Sequence, residues 1–308
     1  MSGATAAAGA VQVVGGLLLA PLLPGLVQHW KARLQGRRGP TPLQPYRELR
    51  RLWGKSAVGI EETTFVYRLA PAVVAASAVV AVLLVPVARQ APNWGVGHDA
   101  LALAAVLALS RFAVAAASWD VANGFALMGA SRDLAISVFV EATLVLSLAI
   151  AALVAGTTDL RGIVQATGGA EVWSTPALAL GGIAFAVVVL AETGRQPIDN
   201  PDTHLELTMV HEGPLLEYGG RDLALLQWAA AARHWLVLVL AAQVFLPHAT
   251  DLWWQLGLLP VALVLLCAAL ALTETHVAKL RILLVPRLVS VATVVALLGI
   301  AAWLVESV

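Results

Sequence analysis

Charge is what this sequence has least of. Only 12% of its 308 residues are charged and 59% are hydrophobic, with a mean hydropathy of +0.82; a soluble domain carries about twice that charged share. Its 19 basic and 19 acidic residues cancel, which excludes the net positive field that a nucleic-acid partner calls for. Cysteine is scarcer still. The single Cys267 lies inside the apolar run LLPVALVLLCAALAL, so no disulfide forms within the chain and the thiol reads as a small core or lipid-facing residue. With neither CxxC nor CxxCH in the sequence, no iron–sulfur cluster, haem or other cofactor is expected on this chain. A metal site is conceivable from His204, Glu206 and His211, but their spacing matches no recognised ligand pattern and none is assigned. Lys and Arg are absent from the first thirty residues. A cleaved signal peptide needs a basic start, so the first apolar run is expected to remain as a helix.

What the chain has in abundance is apolar length. Runs long enough to cross a bilayer, roughly 20 residues each, fall near 6–29, 69–88, 98–119, 133–156, 175–193, 222–246, 253–273 and 285–305. The fold class is therefore all-α: a polytopic membrane protein of about eight transmembrane helices, one membrane domain over 1–308. Pro21, Pro24 and Pro286 mark the first and last spans as candidates for a kink or tilt. The loops between odd and even spans hold 15 Lys and Arg against two, Arg89 and Arg161, on the other side. That bias puts the odd-numbered loops in the cytoplasm and both termini outside.

The first cytoplasmic loop, 30–68, is the most basic segment. Tyr46, Leu49 and Trp53 recur there at helical spacing among Arg47, Glu48, Arg50 and Arg51, a pattern for a short amphipathic helix at the membrane surface. Its cations, with Arg37 and Arg38, either set topology or dock an acidic partner or lipid head groups.

Ionisable groups inside spans cost several kcal/mol unless paired or hydrated, so each is a functional candidate. Arg111 lies eight residues before the inner end of span three, taken at Trp119. Glu141 lies eight residues after the start of span four, taken at Asp133. Equal depth, about 12 Å by helical rise, makes a pair possible, either a static orienting pair or a relay carboxylate tuned by a cation. Arg233 and His234 sit about 16 Å into span six, which calls for an acidic partner or a water-filled cavity; His234 also suits proton transfer.

The loop 192–222 (ETGRQPIDNPDTHLELTMVHEGPLLEYGGRD) carries seven of the 19 acidic residues: Glu192, Asp199, Asp202, Glu206, Glu212, Glu217 and Asp222, with His204 and His211. Its leucines, Met209 and Val210 supply enough apolar surface for packing. Clustered carboxylates in such a setting repel one another and some titrate near neutral pH, as a proton path requires.

Four segments carry a family resemblance: RRGPTPLQPYRELRRLWGK, GASRDLAISVFVEA, ETGRQPIDNPDTHLELTMVHEGPLLEYGGRDLALLQWA and ETHVAKLRILLVPR. Together they resemble the membrane subunit shared by respiratory complex I (its subunit 1) and the group 4 membrane hydrogenases. The pattern is nearest hydrogenase-4 component C and formate hydrogenlyase subunit 4. The resemblance implies a bundle of eight helices at the foot of a peripheral redox arm, without a redox centre of its own. It implies a chain of buried carboxylates leading toward antiporter-like subunits, at Glu141, Glu192, Asp199, Asp202, Glu206 and Glu217, with Glu212 alongside. His204 stands where complex I enzymes carry a further acid. Arg111, Arg132, Arg195 and Arg233 would be counter-charges.

The implied partners are peripheral hydrogenase-like large and small subunits, an iron–sulfur subunit and antiporter-like membrane subunits, with the [NiFe] and iron–sulfur centres on those partners. The implied location is the cytoplasmic membrane of a bacterium or archaeon. The first loop is shorter than in quinone-reducing complex I, and SRFAVAAASWDVANGFALMGASRD follows the hydrogenase pattern. Both favour a proton-translocating hydrogenase or formate-hydrogenlyase-like complex over a quinone-site subunit. A stand-alone ion transporter, which would predict internal repeats, and a purely structural anchor are the other readings.

Overall fold

The computed structural model describes residues 3–57, 59–60, 63–88, 98–168, 175–200, 209–248 and 251–306. Helices make up nearly all of it, and among the described residues no strand forms beyond one isolated bridge, Asp99 to Asp159. The helices are α1 (Gly3–Val13), continued by a π-helical stretch Val14–Leu19, α2 (Leu22–Leu34), α3 (Gln44–Trp53), α4 (Phe65–Leu84), α5 (Ala100–Val121), α6 (Gly124–Ala155), α7 (Leu160–Thr167), α8 (Pro176–Glu192), α9 (Gly220–Val244), α10 (Leu252–His276) and α11 (Val285–Glu306).

Six of these are long and apolar enough to cross a membrane: α4, α5, α6, α9, α10, and α11 with the turn before it. The first span is broken, its two halves bent by 57°. At 17 residues α8 is shorter, rising about 26 Å against a hydrocarbon core of about 30 Å. Six to seven candidate spans thus stand among the described residues, with the shorter apolar α8 beside them, and the protein is a multi-pass helical membrane protein.

Among the differences from the sequence reading, two bear on the site. The helix holding Glu141 begins at Gly124, not 133, because Asn123 accepts the Phe125 N–H at 2.8 Å and caps it there. Only Ala122 and Asn123 separate it from α5. Its 32 residues span about 48 Å, so its first turns project past the membrane into the polar end. The second difference is α7, an added short helix started by Asp159, whose carboxylate accepts the Arg161 N–H at 2.9 Å.

Helix α9 is the centre of the bundle. Every residue from His234 through Val244 is buried, as expected of a helix apolar all round. Packed about it are α4, α8, α10 and the π-helical stretch. Where α4 ends before Pro86, which has no N–H to give, its freed carbonyls find side chains. Gln12 Nε2 donates to Val82 O and Val85 O, both at 2.7 Å, and Gln243 Nε2 to Val87 O at 2.7 Å. Buried carbonyls without partners are costly, and these amides remove that cost.

The amphipathic helix of the first loop forms as α3, with Tyr46 and Leu49 partly buried. Leu52 is buried while Trp53 is 54% exposed. Tyr46 is partly buried and donates to Leu18 O at 2.7 Å, tying α3 to the break in the first span.

Candidate functional site

The buried charges gather at the loop end of the bundle, in three connected groups. The first joins α5, α6, α8 and α9. Arg111 Nη2 donates to Glu192 Oε1 at 2.5 Å, and Nη1 lies 3.4 Å from Glu141 Oε1. The guanidinium is 6% exposed and the Glu192 side chain 1%. The expected Arg111–Glu141 pair therefore forms, yet Glu192 is the tighter partner. Counted along the helices, Arg111 lies ten residues before the end of α5 and Glu141 seventeen after the start of α6.

Arg233 donates to Ser110 Oγ at 2.7 Å and stands 4.0 Å from Glu192 Oε2. The acidic partner expected for Arg233 is thus present, and the guanidinium also lines a small cavity of about 10 Å³ with Ser77, Ser110 and Leu236. Two carboxylates thus face two guanidiniums. Such a cluster is favourable only while every member is present, because each charge left alone in a dry interior costs several kcal/mol.

The second group is one the sequence reading missed. Glu274, its side chain fully buried, accepts from Arg195 Nη1 with both oxygens at 3.3 Å and lies 3.3 Å from Lys31 Nζ. The sequence reading ends span seven at 273, so Glu274 falls among loop residues, and Lys31 counts only toward topology. Extending the intramembrane-charge test by one helical turn at each span end finds both. Arg195 is the counter-charge expected, but of Glu274.

The third group lies in the acidic loop, at its described part. Asp199 accepts from Lys279 Nζ at 2.9 Å and from the His211 backbone N–H at 3.1 Å, and sits 3.0 Å from His211 Nδ1. Asp133 of α6 faces His211 Nε2 at 3.7 Å. Burial works against the Asp199 charge, but the hydrogen bond and charge of His211 and the Lys279 ammonium outweigh it. The carboxyl is held well below the usual aspartate range. For His211 burial likewise opposes the proton, while the Asp199 hydrogen bond and the nearby Asp133 outweigh it and raise its pKa. Neither Lys279 nor Asp133 stands out in the sequence as a site residue.

The remaining candidates divide. Arg132, expected as a counter-charge, donates instead to the Met209 carbonyl at 3.3 Å and ties the loop to α6. Glu212 leads into the tight turn Gly213–Leu215. This turn lies so close to α6 that a Cβ on Gly129 would stand 2.8 Å from Gly213 Cα. Among the described residues no ion pair joins Glu217 to the buried acids; its carbonyl accepts from the Tyr67 hydroxyl at 2.8 Å, beside the stacked Tyr67–Tyr218 pair. Asp202, His204 and Glu206, the last two also in the conceivable metal set, lie outside the described residues. Arg37, Arg38, Arg47, Arg50 and Arg51 lie along one loop and α3, where Arg51 pairs with Glu48 at 2.5 Å. His234 is buried with no hydrogen-bond partner for Nε2 among the described residues.

Glu141 alone of the buried carboxylates opens sideways. Its side chain is 34% exposed and forms the polar spot in a groove of about 520 Å³ between α5 and α6, lined otherwise by Ala104, Ala105, Ala108, Ala142, Val145 and Leu146.

Fold and site together define a polytopic helical membrane protein with a charge network running from its loop end to one flank. Residues 8–305 match the profile of the NADH dehydrogenase family, and the chain belongs to that family. It is 33% identical over 280 residues to formate hydrogenlyase subunit 4 of Escherichia coli (strain K12), covering 88% of this chain and 89% of that protein. To hydrogenase-4 component C of the same organism it is 32% identical over 300 residues, covering 94% and 92%. An NADH-quinone oxidoreductase subunit of Salinibacter ruber is 30% identical over 225 residues, 70% of this chain and 64% of that protein. Among solved structures, a chain of the membrane-bound sulfane sulfur reductase, an archaeal respiratory membrane complex, shares the fold with a TM-score of 0.83. Its identity is 20%, and 97% of this chain and 99% of that chain are covered. These relatives are subunits of multi-subunit oxidoreductases.

Proposed function

We propose that this chain is the membrane-anchor and coupling subunit of a proton-translocating group 4 [NiFe] hydrogenase or formate-hydrogenlyase-like complex, with its loop end in the cytoplasm and both termini outside. The observation that carries this reading is a series of ionisable groups from the loop to the flank. Contacts join Asp199 to His211 and His211 to Asp133, and separately join Glu192 to Arg111 and Arg111 to Glu141 at the open groove. The charge on Asp133 acts on Arg111, which links loop and interior.

In this reading the peripheral arm docks over the acidic loop and the arginines of α3. Electron transfer to or from a [NiFe] site on that arm changes charge near Asp199 and His211. Arg111 is shared between Glu192 and Glu141, so a charge change on one carboxylate alters the proton affinity of the other. Glu141 presents the result to an antiporter-like subunit seated along the groove. The catalytic metal and iron–sulfur chemistry belongs to the partners; this chain holds and moves protons. The first span packs directly on α9: the Trp228 indole donates to Leu17 O at 2.8 Å, and Trp235 lies against Gly15 and Gly16.

The test is proton translocation per electron pair in the reconstituted complex. Glu141→Gln should leave assembly and electron transfer intact while pumping falls at least tenfold. Unchanged pumping in that variant would overturn the relay. Copurification of the chain with quinone-reducing subunits alone would overturn the hydrogenase assignment.

A further inference from the structure

His211 stands between two carboxylates from different parts of the fold. Its Nδ1 is 3.0 Å from Asp199 Oδ2, in the turn after α8, and its Nε2 is 3.7 Å from Asp133 Oδ1 on α6. A neutral imidazole carries one N–H and one lone pair, so one nitrogen would turn its lone pair toward a carboxylate; only the imidazolium donates on both sides. The ring also rests on Gly194, where a Cβ would stand 3.4 Å from Nδ1. The position therefore depends on the close approach of a glycine backbone at φ +62°.

Among the described residues, the charged groups about the ring come from several elements. On α6, Asp133 faces it and Arg132 is engaged with the Met209 carbonyl. The turn after α8 contributes Asp199, the segment ahead of α11 contributes Lys279 bonded to Asp199, and the ring's own segment contributes Glu212. From the interior, Arg111 and Glu192 interact electrostatically with it.

We propose that His211 is a proton-operated clasp: protonated, it ties the loop segment 209–216 and the turn 193–200 to α6 through Asp199 and Asp133, and deprotonated it lets Asp133 go. The contact to Asp133 is the longer of the two, so it is the one released. Asp133 then turns its charge on Arg111, the cation that Glu192 and Glu141 share, and a protonation event in the loop redistributes the pairing inside the membrane. Use of the clasp in coupling rests on the function proposed above; the clasp itself rests on the geometry alone.

The sign follows from the raised His211 pKa. The clasp is fully closed below the ordinary histidine value of about 6.5 and is lost as pH rises through the raised value. Between the two, closure weakens by up to about tenfold per pH unit.

The test uses the full chain in lipid nanodiscs with ¹³C-labelled histidine, the His211 resonance being identified by its loss in His211→Gln. His211 should titrate above 6.5, and Asp133→Asn and Asp199→Asn should each move it down. Hydrogen exchange of the 209–216 amides, corrected for the intrinsic pH dependence, should lose protection over the same range. The loss should vanish in His211→Arg, whose charge is permanent. A His211 pKa at or below 6.5, one unmoved by both carboxamide variants, or protection that follows pH equally in His211→Arg would each overturn the clasp. None of these measurements needs partner subunits or turnover, so they fail independently of the pumping assay on Glu141→Gln.

Discussion

Glu274 offers the sharpest test of how the interior charges are held. Its carboxylate is fully buried between Lys31 Nζ and Arg195 Nη1, at 3.3 Å from each, and both cations are less than a tenth exposed. At an effective dielectric of about 20, a contact at 3.3 Å is worth about 5 kcal/mol of Coulomb energy. Most of that offsets the desolvation of the three ions, so the intact group adds little net stability. Removing this anion is different, because Lys31 and Arg195 then lose the carboxylate they share in a dry site. Glu274→Gln should therefore cost about 3–5 kcal/mol.

Lys31→Met alone leaves a matched Arg195–Glu274 pair and should cost about 1 kcal/mol or less. Adding Lys31→Met to Glu274→Gln should recover part of the loss, since the repulsion between the two cations is then removed. Equilibrium unfolding of the four proteins in mixed micelles measures the cycle. A Glu274→Gln cost below about 1 kcal/mol, or a double variant as unstable as the sum of the singles, would refute the reasoning.

Three further outcomes follow from the geometry. Gly129→Ala places a Cβ 2.8 Å from Gly213 Cα, so α6 and the 213–215 turn must separate at a cost of about 1–3 kcal/mol, read as a lower unfolding midpoint. Tyr67→Phe removes the hydroxyl bonded to the Glu217 carbonyl at 2.8 Å and should cost about 1 kcal/mol, while the ring stacking with Tyr218 persists. The loop has a pH window: the lowered pKa of Asp199 gives stability that is present above about pH 4 and lost as pH falls through the lowered value. The raised pKa of His211 gives stability that is present below about pH 6.5 and lost as pH rises through the raised value. Thermal unfolding across pH should thus show greatest stability between those limits, with the alkaline limb flattened in His211→Gln.

The sequence by itself determined the class of fold, because apolar length is a one-dimensional property. Eight apolar runs were legible, and among the described residues six to seven candidate spans and the shorter α8 answer to them. It also determined that Arg111, Glu141 and Arg233 lie where lone charges are costly, since hydropathy marks each as out of place, whereas Glu192 read as part of the acidic loop and Arg195 entered only through the resemblance. The amphipathic period around Tyr46 likewise announced α3.

Pairing was decided only by tertiary structure. Which cation meets which anion depends on helix crossing and on where each helix starts. The Asn123 cap moved the start of α6 nine residues ahead of the apolar run, because a capped helix can continue past the membrane on polar residues that hydropathy does not count. Glu192 rather than Glu141 became the tight partner of Arg111, and Arg195 turned to Glu274, 79 residues away. Side chains meet across distances in sequence that no period records. Lys31, Asp133 and Lys279 read as ordinary loop or span-end residues in the sequence, and only the packing of α2, α6 and α10 with the loop turned them into members of a buried charge network.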